Sequence, residues 1–272
     1  MATFKLLVDS RQSDTFAHLG TPEHLKALRL TRFVWDAPEL TADIKARVLK
    51  TNQSGLTCLY LPKRDWKAVF FDMDSTVIRQ ESIIELAKAA GKEAEVARIT
   101  DQAMAGLLDF TSALRERVKM LGGLPDSIIS KVAKTLTINP GMPDFCKEAK
   151  TKKIKLFLVS GGFNALASGI ARELAFDGFI ANELDSENNT LTGRLRGAVI
   201  NAESKAQFLM ETCTKLGIHL NDTLVVGDGA NDLLMMQAAG AAIGYFPKSI
   251  LLPHIAGAIF NGHDHRALIH AL

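Results

Sequence analysis

The sequence predicts an α/β protein: an open, mostly parallel sheet with a helical cap inserted over one edge and a small α+β module in front. Three observations predict it. Ala68-Val69-Phe70-Phe71 is a continuous apolar run that ends in Asp72-Met73-Asp74-Ser75-Thr76. Such a run reads as a strand buried on both faces, delivering its carboxylates to the carboxyl edge where open α/β sheets keep their ligands. Two later apolar runs, Ile154 to Val159 and Thr223 to Val226, open in the same way into Ser160-Gly161-Gly162-Phe163 and Gly227-Asp228-Gly229-Ala230-Asn231-Asp232. Between the first and second runs lies a long stretch with helical rather than strand periodicity.

Bulk properties exclude several classes. The chain has 272 residues, is 47% hydrophobic, and carries 32 basic against 30 acidic residues for a net charge of +2. That balance predicts neither a nucleic-acid footprint nor an anionic membrane partner, so phosphate recognition must be local. Cys58, Cys146 and Cys213 are far apart and odd in number, which suggests reduced thiols rather than a disulfide framework or zinc site. Met1 to Ser10 does not resemble a signal peptide and no run is long enough to span a bilayer, so a cytoplasmic protein is expected.

Taken in order, Phe4 to Val8, Leu30 to Trp35 and Leu56 to Leu61 predict short strands, with a helix over Ala42 to Lys50. This gives an α+β module over residues 1–65, closed by the break Pro62-Lys63-Arg64-Asp65, and the expected roles are dimerisation (a homodimer) or ligand sensing. Residues 66–272 form the second domain. Within it, Glu81 to Ala90, Glu93 to Ala105, Phe110 to Met120 and Asp126 to Lys134 predict four helices, punctuated by Gly91, Gly106 and Gly122-Gly123-Leu124-Pro125, which place a cap at about residues 79–140.

After the second strand, Ala165 to Leu174 predicts a helix and Phe179 to Ala181 a strand. Glu183 to Arg196 predicts a hairpin turning at Asn188-Asn189. Ser204 to Leu216 and Leu233 to Ala239 predict helices, and Ala241 to Gly244 and Gly257 to Phe260 close the sheet.

If the strands are parallel, four elements meet at one edge: Asp72 with Asp74, Ser160 with Gly161, Lys205, and Asp228 with Asn231 and Asp232. Each alone has an ordinary structural explanation. Asp-Met-Asp-Ser can be a strand end before a helix cap, Ser-Gly-Gly a tight turn, and Lys205 a solvated helix residue. Gly-Asp-Gly-x-x-Asp resembles a calcium loop, but Ala230 and Leu233 occupy positions where an EF-hand needs other residues. Together, buried carboxylates at a strand end demand a cation, and a serine before two glycines offers a hydroxyl and amides to an oxyanion.

In their order and spacing these four motifs resemble those of the haloacid dehalogenase superfamily of phosphohydrolases, most closely its phosphoserine phosphatase family. The resemblance runs from about Val69 to the carboxyl terminus. It also covers Glu81, Met104, Phe110 and Arg117, which look like substrate-contacting positions of the cap. It implies a Rossmann-like parallel sheet, the haloacid dehalogenase fold, and hydrolysis of O-phosphoserine to serine and phosphate, the last step of serine biosynthesis.

Asp72 is then the nucleophile that forms an aspartyl-phosphate, and Asp74 the proton donor. Mg²⁺ would be held by the Asp72 carboxylate, the Asp74 backbone carbonyl and Asp228, with Asp232 farther out. Ser160, Gly161, Lys205 and Asn231 would bind the phosphoryl oxygens, Glu81 the substrate ammonium and Arg117 its carboxylate.

Other readings remain at this point. The same intermediate could pass its phosphoryl group to another alcohol, making a phosphotransferase, or another small phosphomonoester could be the substrate. A silent amino-acid sensor is disfavoured by the intact Asp72, Asp74, Lys205 and Asp228. Asn164, where relatives often carry aspartate, and Tyr245 to Ile259 depart from the family pattern. His254, His263, His265 and His270 read as solvated tail residues.

Overall fold

The computed structural model describes residues 1–104, 107–260 and 262–272, with residues 101–104 as backbone only. The chain runs β1 (Ala2–Asp9), β2 (Glu23–Leu25), β3 (Leu30–Ala37), α1 (Ala42–Gln53), β4 (Cys58–Pro62) and β5 (Ala68–Phe71). The cap follows as α2 (Ser82–Ala89), α3 (Glu93–Met104), α4 (Phe110–Lys119) and α5 (Ser127–Ala133), then α6 (Met142–Thr151). Next come β6 (Lys155–Phe163), α7 (Asn164–Glu173), β7 (Gly178–Glu187), β8 (Thr190–Arg196) and α8 (Ala202–Leu216). β9 (Thr223–Gly227), α9 (Leu233–Ala238), β10 (Ala241–Tyr245), β11 (Gly257–Ile259) and α10 (Arg266–Ala271) complete it.

One eleven-stranded sheet runs in the order β2-β3-β1-β4-β11-β10-β9-β5-β6-β7-β8. Strands β11 to β7 of that order are parallel, the α/β centre the apolar runs predict, while β8 and the amino-terminal strands are antiparallel. From β5 the chain builds outward through β6 and β7, then returns to lay β9 on the other side of β5. That reversal opens a crevice at the carboxyl ends of β5 and β9, the position where open sheets bind ligands.

Strand alternation fills both faces. Val69 and Phe71 enter a core with Phe145 of α6, Ala167 of α7 and Leu268 of α10. Ala68 and Phe70 enter the opposite core with Leu209 of α8 and Met235 of α9. Both faces of β5 are therefore sealed, and only its end meets solvent-accessible space.

The amino-terminal residues have their own small core of Leu6, Val8, Phe16, Phe33, Ile44 and Val48. Their sheet nevertheless continues into the catalytic one, because β4 pairs antiparallel with β11 through Leu59↔Gly257 and Cys58↔Ala258. No side chain fits at Gly257, whose backbone has φ 131 and lies against the Cys58 carbonyl.

Cap helices α2, α4 and α5 pack Ile83, Leu86, Leu114, Val118, Ile128 and Val132 against Phe163, Leu166, Leu191 and Val199. The β7–β8 hairpin turns at Asn188 and Asn189, with φ 51 and 60, as Asn-Asn predicts. It reaches the cap, where Gly123 N donates to Leu191 O at 2.8 Å and Leu191 N to Leu124 O at 2.8 Å.

Helices α6 and α10 were not anticipated: Pro143 in the first turn of the first is a start signal that went unread, and the second is only six residues long. The histidine reading is corrected for His265. It is fully buried, its ring stacked 4.1 Å from that of Tyr245 and 5.9 Å from Phe71.

Candidate active site

At the end of β5, Asp72 stays extended (φ −66, ψ 158) and Ser75 turns left-handed (φ 59). This turn reverses the chain into the cap while leaving Asp72 and Asp74 at the sheet edge. Asp72 N donates to Val226 O at 2.9 Å, so the nucleophile candidate is tied to β9 as well as to its own strand.

The loop after β9 supplies Asp228 and Asp232. One oxygen of Asp232, Oδ2, accepts from the amides of Asp228 and Gly229, both at 3.2 Å. Gly227 leaves the room this requires, because a Cβ there would collide with the Asp232 carboxylate. Asn201 caps α8 by accepting from Ser204 N at 2.9 Å, and one residue later Lys205 is fully buried. Its ammonium donates to Asp72 Oδ1 at 2.6 Å and to Asp232 Oδ1 at 2.7 Å.

The electrostatics follow from three carboxylates and one ammonium. Among the described residues, Asp72, Asp228 and Asp232 bring ligand oxygens within 4.8 Å of one another. Burial, then Asp232, push Asp228 up to about 7, and burial with the neighbouring carboxylates raises Asp72 while Lys205 opposes. Burial alone would lower Lys205, but Asp232 and Asp72 outweigh it and hold the ammonium well above the ordinary lysine range. The excess negative charge and the purely oxygen donor set fit a hard divalent cation. Asp232 has already committed both oxygens, one to Lys205 and one to amides, so Asp72 and Asp228 are the carboxylates with capacity to spare.

Asp74 has different surroundings. Its Oδ2 accepts from Ser82 Oγ at 2.7 Å, and its buried Oδ1 has no protein partner among the described residues. Burial, then the Glu81 carboxylate, push it up to about 7.

A cavity of about 390 Å³ lies above these groups and is lined by Asp72, Asp74, Glu81, Phe110, Arg117, Gly161, Asp228 and Asn231, together with Lys248. Glu81 Oε1 accepts from Ser75 Oγ at 2.8 Å. Arg117 is held by donating Nε to Ala113 O at 3.2 Å, and burial lowers its pKa against the opposing pull of Glu81 and Asp74. Phe110 reaches down from the cap, and a Cβ on Gly161 would lie 3.2 Å from its Cζ, so the cap is closed on the sheet.

Ser160 and Lys205 do not line this cavity. Ser160 is buried and its Oγ accepts from Gly162 N at 2.8 Å. The Met104 side chain lies outside the described residues.

Three groups here were not anticipated from sequence. Ser82 begins a helix and reads as a cap residue. Asn182, buried in β7, donates to Gly161 O at 2.8 Å and accepts from Ile200 N at 2.8 Å, fixing the glycine peptide. A polar residue within an apolar strand was its one signal. Lys248, 3.9 Å from Asp228 Oδ2, had none.

A family description, haloacid dehalogenase-like hydrolase, matches residues 69–237. The chain belongs to the haloacid dehalogenase-like hydrolases. It is similar to a phosphoserine phosphatase of Archaeoglobus fulgidus, 36% identical over 80% of this chain and 65% of that one, so it spans just under two thirds of that relative. It is 40% identical to a phosphoserine phosphatase of Polaromonas sp. over 75% of this chain and 89% of the other. A solved phospho-aspartyl intermediate analogue of phosphoserine phosphatase superposes with TM-score 0.72 at 36% identity, covering 77% of this chain and all of that one. The haloacid dehalogenase motifs thus sit where this fold reverses its strand order, and the family's hydrolase chemistry has a carboxylate-rich pocket under the cap in which to occur.

Proposed function

We propose that the chain is a Mg²⁺-dependent phosphoserine phosphatase that hydrolyses O-phosphoserine through an aspartyl-phosphate on Asp72. The observation that carries this reading is the pairing of two unlike carboxylates in one cavity. Asp72 is bonded to Lys205, whereas Asp74 is shifted up to about 7 and its Oδ1 has no partner among the described residues. One suits a nucleophile and the other a proton donor. The relatives named phosphoserine phosphatase, one solved with a phospho-aspartyl analogue, support the same assignment.

With Oδ1 held by Lys205, Asp72 presents Oδ2 to the phosphorus. Asp74 protonates the departing seryl oxygen and later accepts a proton from the attacking water. Asp72, the Asp74 backbone carbonyl and Asp228 would hold the Mg²⁺, which would supply charge neutralisation for the phosphoryl group.

Gly161 and Asn231 line the place for the phosphoryl oxygens, with Ser160 shaping the loop from behind. Lys205 acts chiefly by holding Asp72 and Asp232. Glu81 and Arg117, one anion and one cation in the same cavity, match the ammonium and carboxylate of a free amino acid.

Residues 1–65 are proposed as a module joined edge to edge with the catalytic domain, available for self-association as a homodimer. The three cysteines are free and buried, and no described helix is long and apolar enough to cross a membrane, which supports placement in the reducing cytoplasm.

The test is phosphate release from a panel of small phosphomonoesters with and without Mg²⁺. Phosphoserine should be strongly preferred and turnover should need the ion. Equal turnover of phosphate esters lacking the amino acid group would overturn the substrate assignment.

A further inference from the structure

Asp74 owes its position to a residue in the cap. Ser82, the first residue of α2, is fully buried, and its hydroxyl donates to Asp74 Oδ2 at 2.7 Å. The other oxygen, Oδ1, is buried without a protein partner among the described residues. Gly162 closes the third side. A Cβ there would come within 2.7 Å of Ser82 Oγ, 2.8 Å of Met73 Cε and 3.0 Å of Asp74 Oδ2. Contacts that close are not tolerated, so the glycine is needed for the carboxyl group to occupy this place.

We infer that Ser82 is a positioning residue that fixes which oxygen of Asp74 delivers the proton. The inference rests on the proposed acid role of Asp74. Since Oδ2 already accepts from a hydroxyl, the acidic proton resides on Oδ1. As Asp72 Oδ2 forms its bond to phosphorus, the bond from phosphorus to the alcohol oxygen breaks. Its electron pair stays with that oxygen, which takes the proton from Asp74 Oδ1.

Asp74 becomes a carboxylate in the same event, and the hydrogen bond from Ser82 strengthens as that charge develops. A hydrogen bond to an ionising group is stronger than one to a neutral group, so Ser82 lowers the barrier rather than merely tightening binding. Because Ser82 belongs to the cap and Asp74 to the sheet edge, the proton donor is aligned only while α2 is docked.

The test compares Ser82→Ala with wild type on two esters: an alkyl phosphate that the wild type hydrolyses, and p-nitrophenyl phosphate, whose leaving group departs as a stable anion. The specificity constant kcat/KM reports the steps through departure of the alcohol. Ser82→Ala should lower kcat/KM at least tenfold for the alkyl ester, through kcat rather than KM, and less than threefold for the aryl ester. Retained aryl activity also shows that the variant is folded.

An equal loss on both esters, or a loss confined to KM, overturns the inference. The alkyl ester is chosen by measured wild-type turnover. Failure of phosphoserine as the preferred substrate therefore sinks the substrate assignment without deciding the role of Ser82.

Discussion

Lys205 Nζ lies 2.6 Å from Asp72 Oδ1, with the lysine fully buried. This ion pair links α8 to the end of β5 and is shared with Asp232. It pulls the nucleophile toward its ionised form, against the burial and neighbouring carboxylates that raise its pKa, and engages one of its two oxygens. Removing the cation would leave an uncompensated carboxylate cluster in the interior, which costs about 3–5 kcal/mol. Lys205→Met is therefore expected to lower Tm by roughly 10 °C and to abolish turnover. A melt of the variant within a degree or two of wild type would contradict the pairing as a structural element.

Asp72→Asn separates function from stability. Burial and the neighbouring carboxylates already oppose its charge, so neutralising it relieves repulsion. Turnover and the trappable phosphoenzyme should vanish, while Tm in metal-free buffer stays level or rises. Rapid-quench labelling and calorimetry check the two halves.

Arg117 lines the same cavity as Glu81 and, among the described residues, is hydrogen-bonded through Nε alone. Arg117→Ala should raise KM for phosphoserine by ten- to a hundredfold and leave KM for a phosphate ester without a carboxylate within about threefold, as loss of one charged hydrogen-bonded pair implies. Equal effects on both substrates would remove Arg117 from substrate recognition.

Asp74 must be protonated to act as donor, and its carboxyl is pushed up to about 7 by burial and Glu81. Since the acid form is populated below that value, kcat/KM for phosphoserine should fall as pH rises through it. Any cation bound nearby favours the carboxylate, so the midpoint should move lower with rising Mg²⁺. Glu81→Gln removes a repelling charge and should move it lower again. A pH–rate series at two Mg²⁺ concentrations measures these shifts.

His265 contributes to the loss of stability in acid. Burial depresses its pKa from 6.5 to about 4, and neither ring nitrogen has a partner among the described residues. The unfolded chain binds a proton below 6.5 that the folded chain refuses until about 4, so stability falls as pH drops through that window. The linkage is worth about 3 kcal/mol at most. Thermal melts at pH 7 and 4.5 should show a smaller acid loss in His265→Phe than in wild type.

The legible part of the sequence was the part under the strictest physical demands. A strand buried on both faces must be apolar throughout, so β5, β6 and β9 announced themselves, and with them Asp72 and Asp228 just past two of the ends; Ser160, expected past the end of β6, lies within it, because the strand runs on to Phe163. Asn188-Asn189 likewise announced a turn needing two positive φ angles. What stayed hidden depends on contacts distant in sequence. Ser82 acquires its partner only because the turn at Ser75 folds α2 back over Asp74. Lys205 was placed at the site by the set of motifs, but its pairing with both Asp72 and Asp232 shows only once α8 is packed in place. His265 sits among ordinary tail residues until α10 packs under Phe71. Pairing of β4 with β11 was equally unforeseen: Gly257 to Phe260 read as the strand that closes the sheet, and the break at Pro62 to Asp65 set β4 in a separate module.

That last pairing has a consequence for how copies of the chain behave toward one another. β11 is short and apolar, with β10 on one side and β4 on the other. Without the first sixty-odd residues its second side would be a bare row of amides and carbonyls, free to take a strand from a neighbouring molecule. With them, the sheet instead terminates at β2, a three-residue strand whose Glu23 is ion-paired to Arg32 on β3. The amino-terminal strands thus serve as a stopper. They turn an edge open to pairing into one that ends in charge, and a chain cut before β5 is expected to self-associate through the bared side of β11.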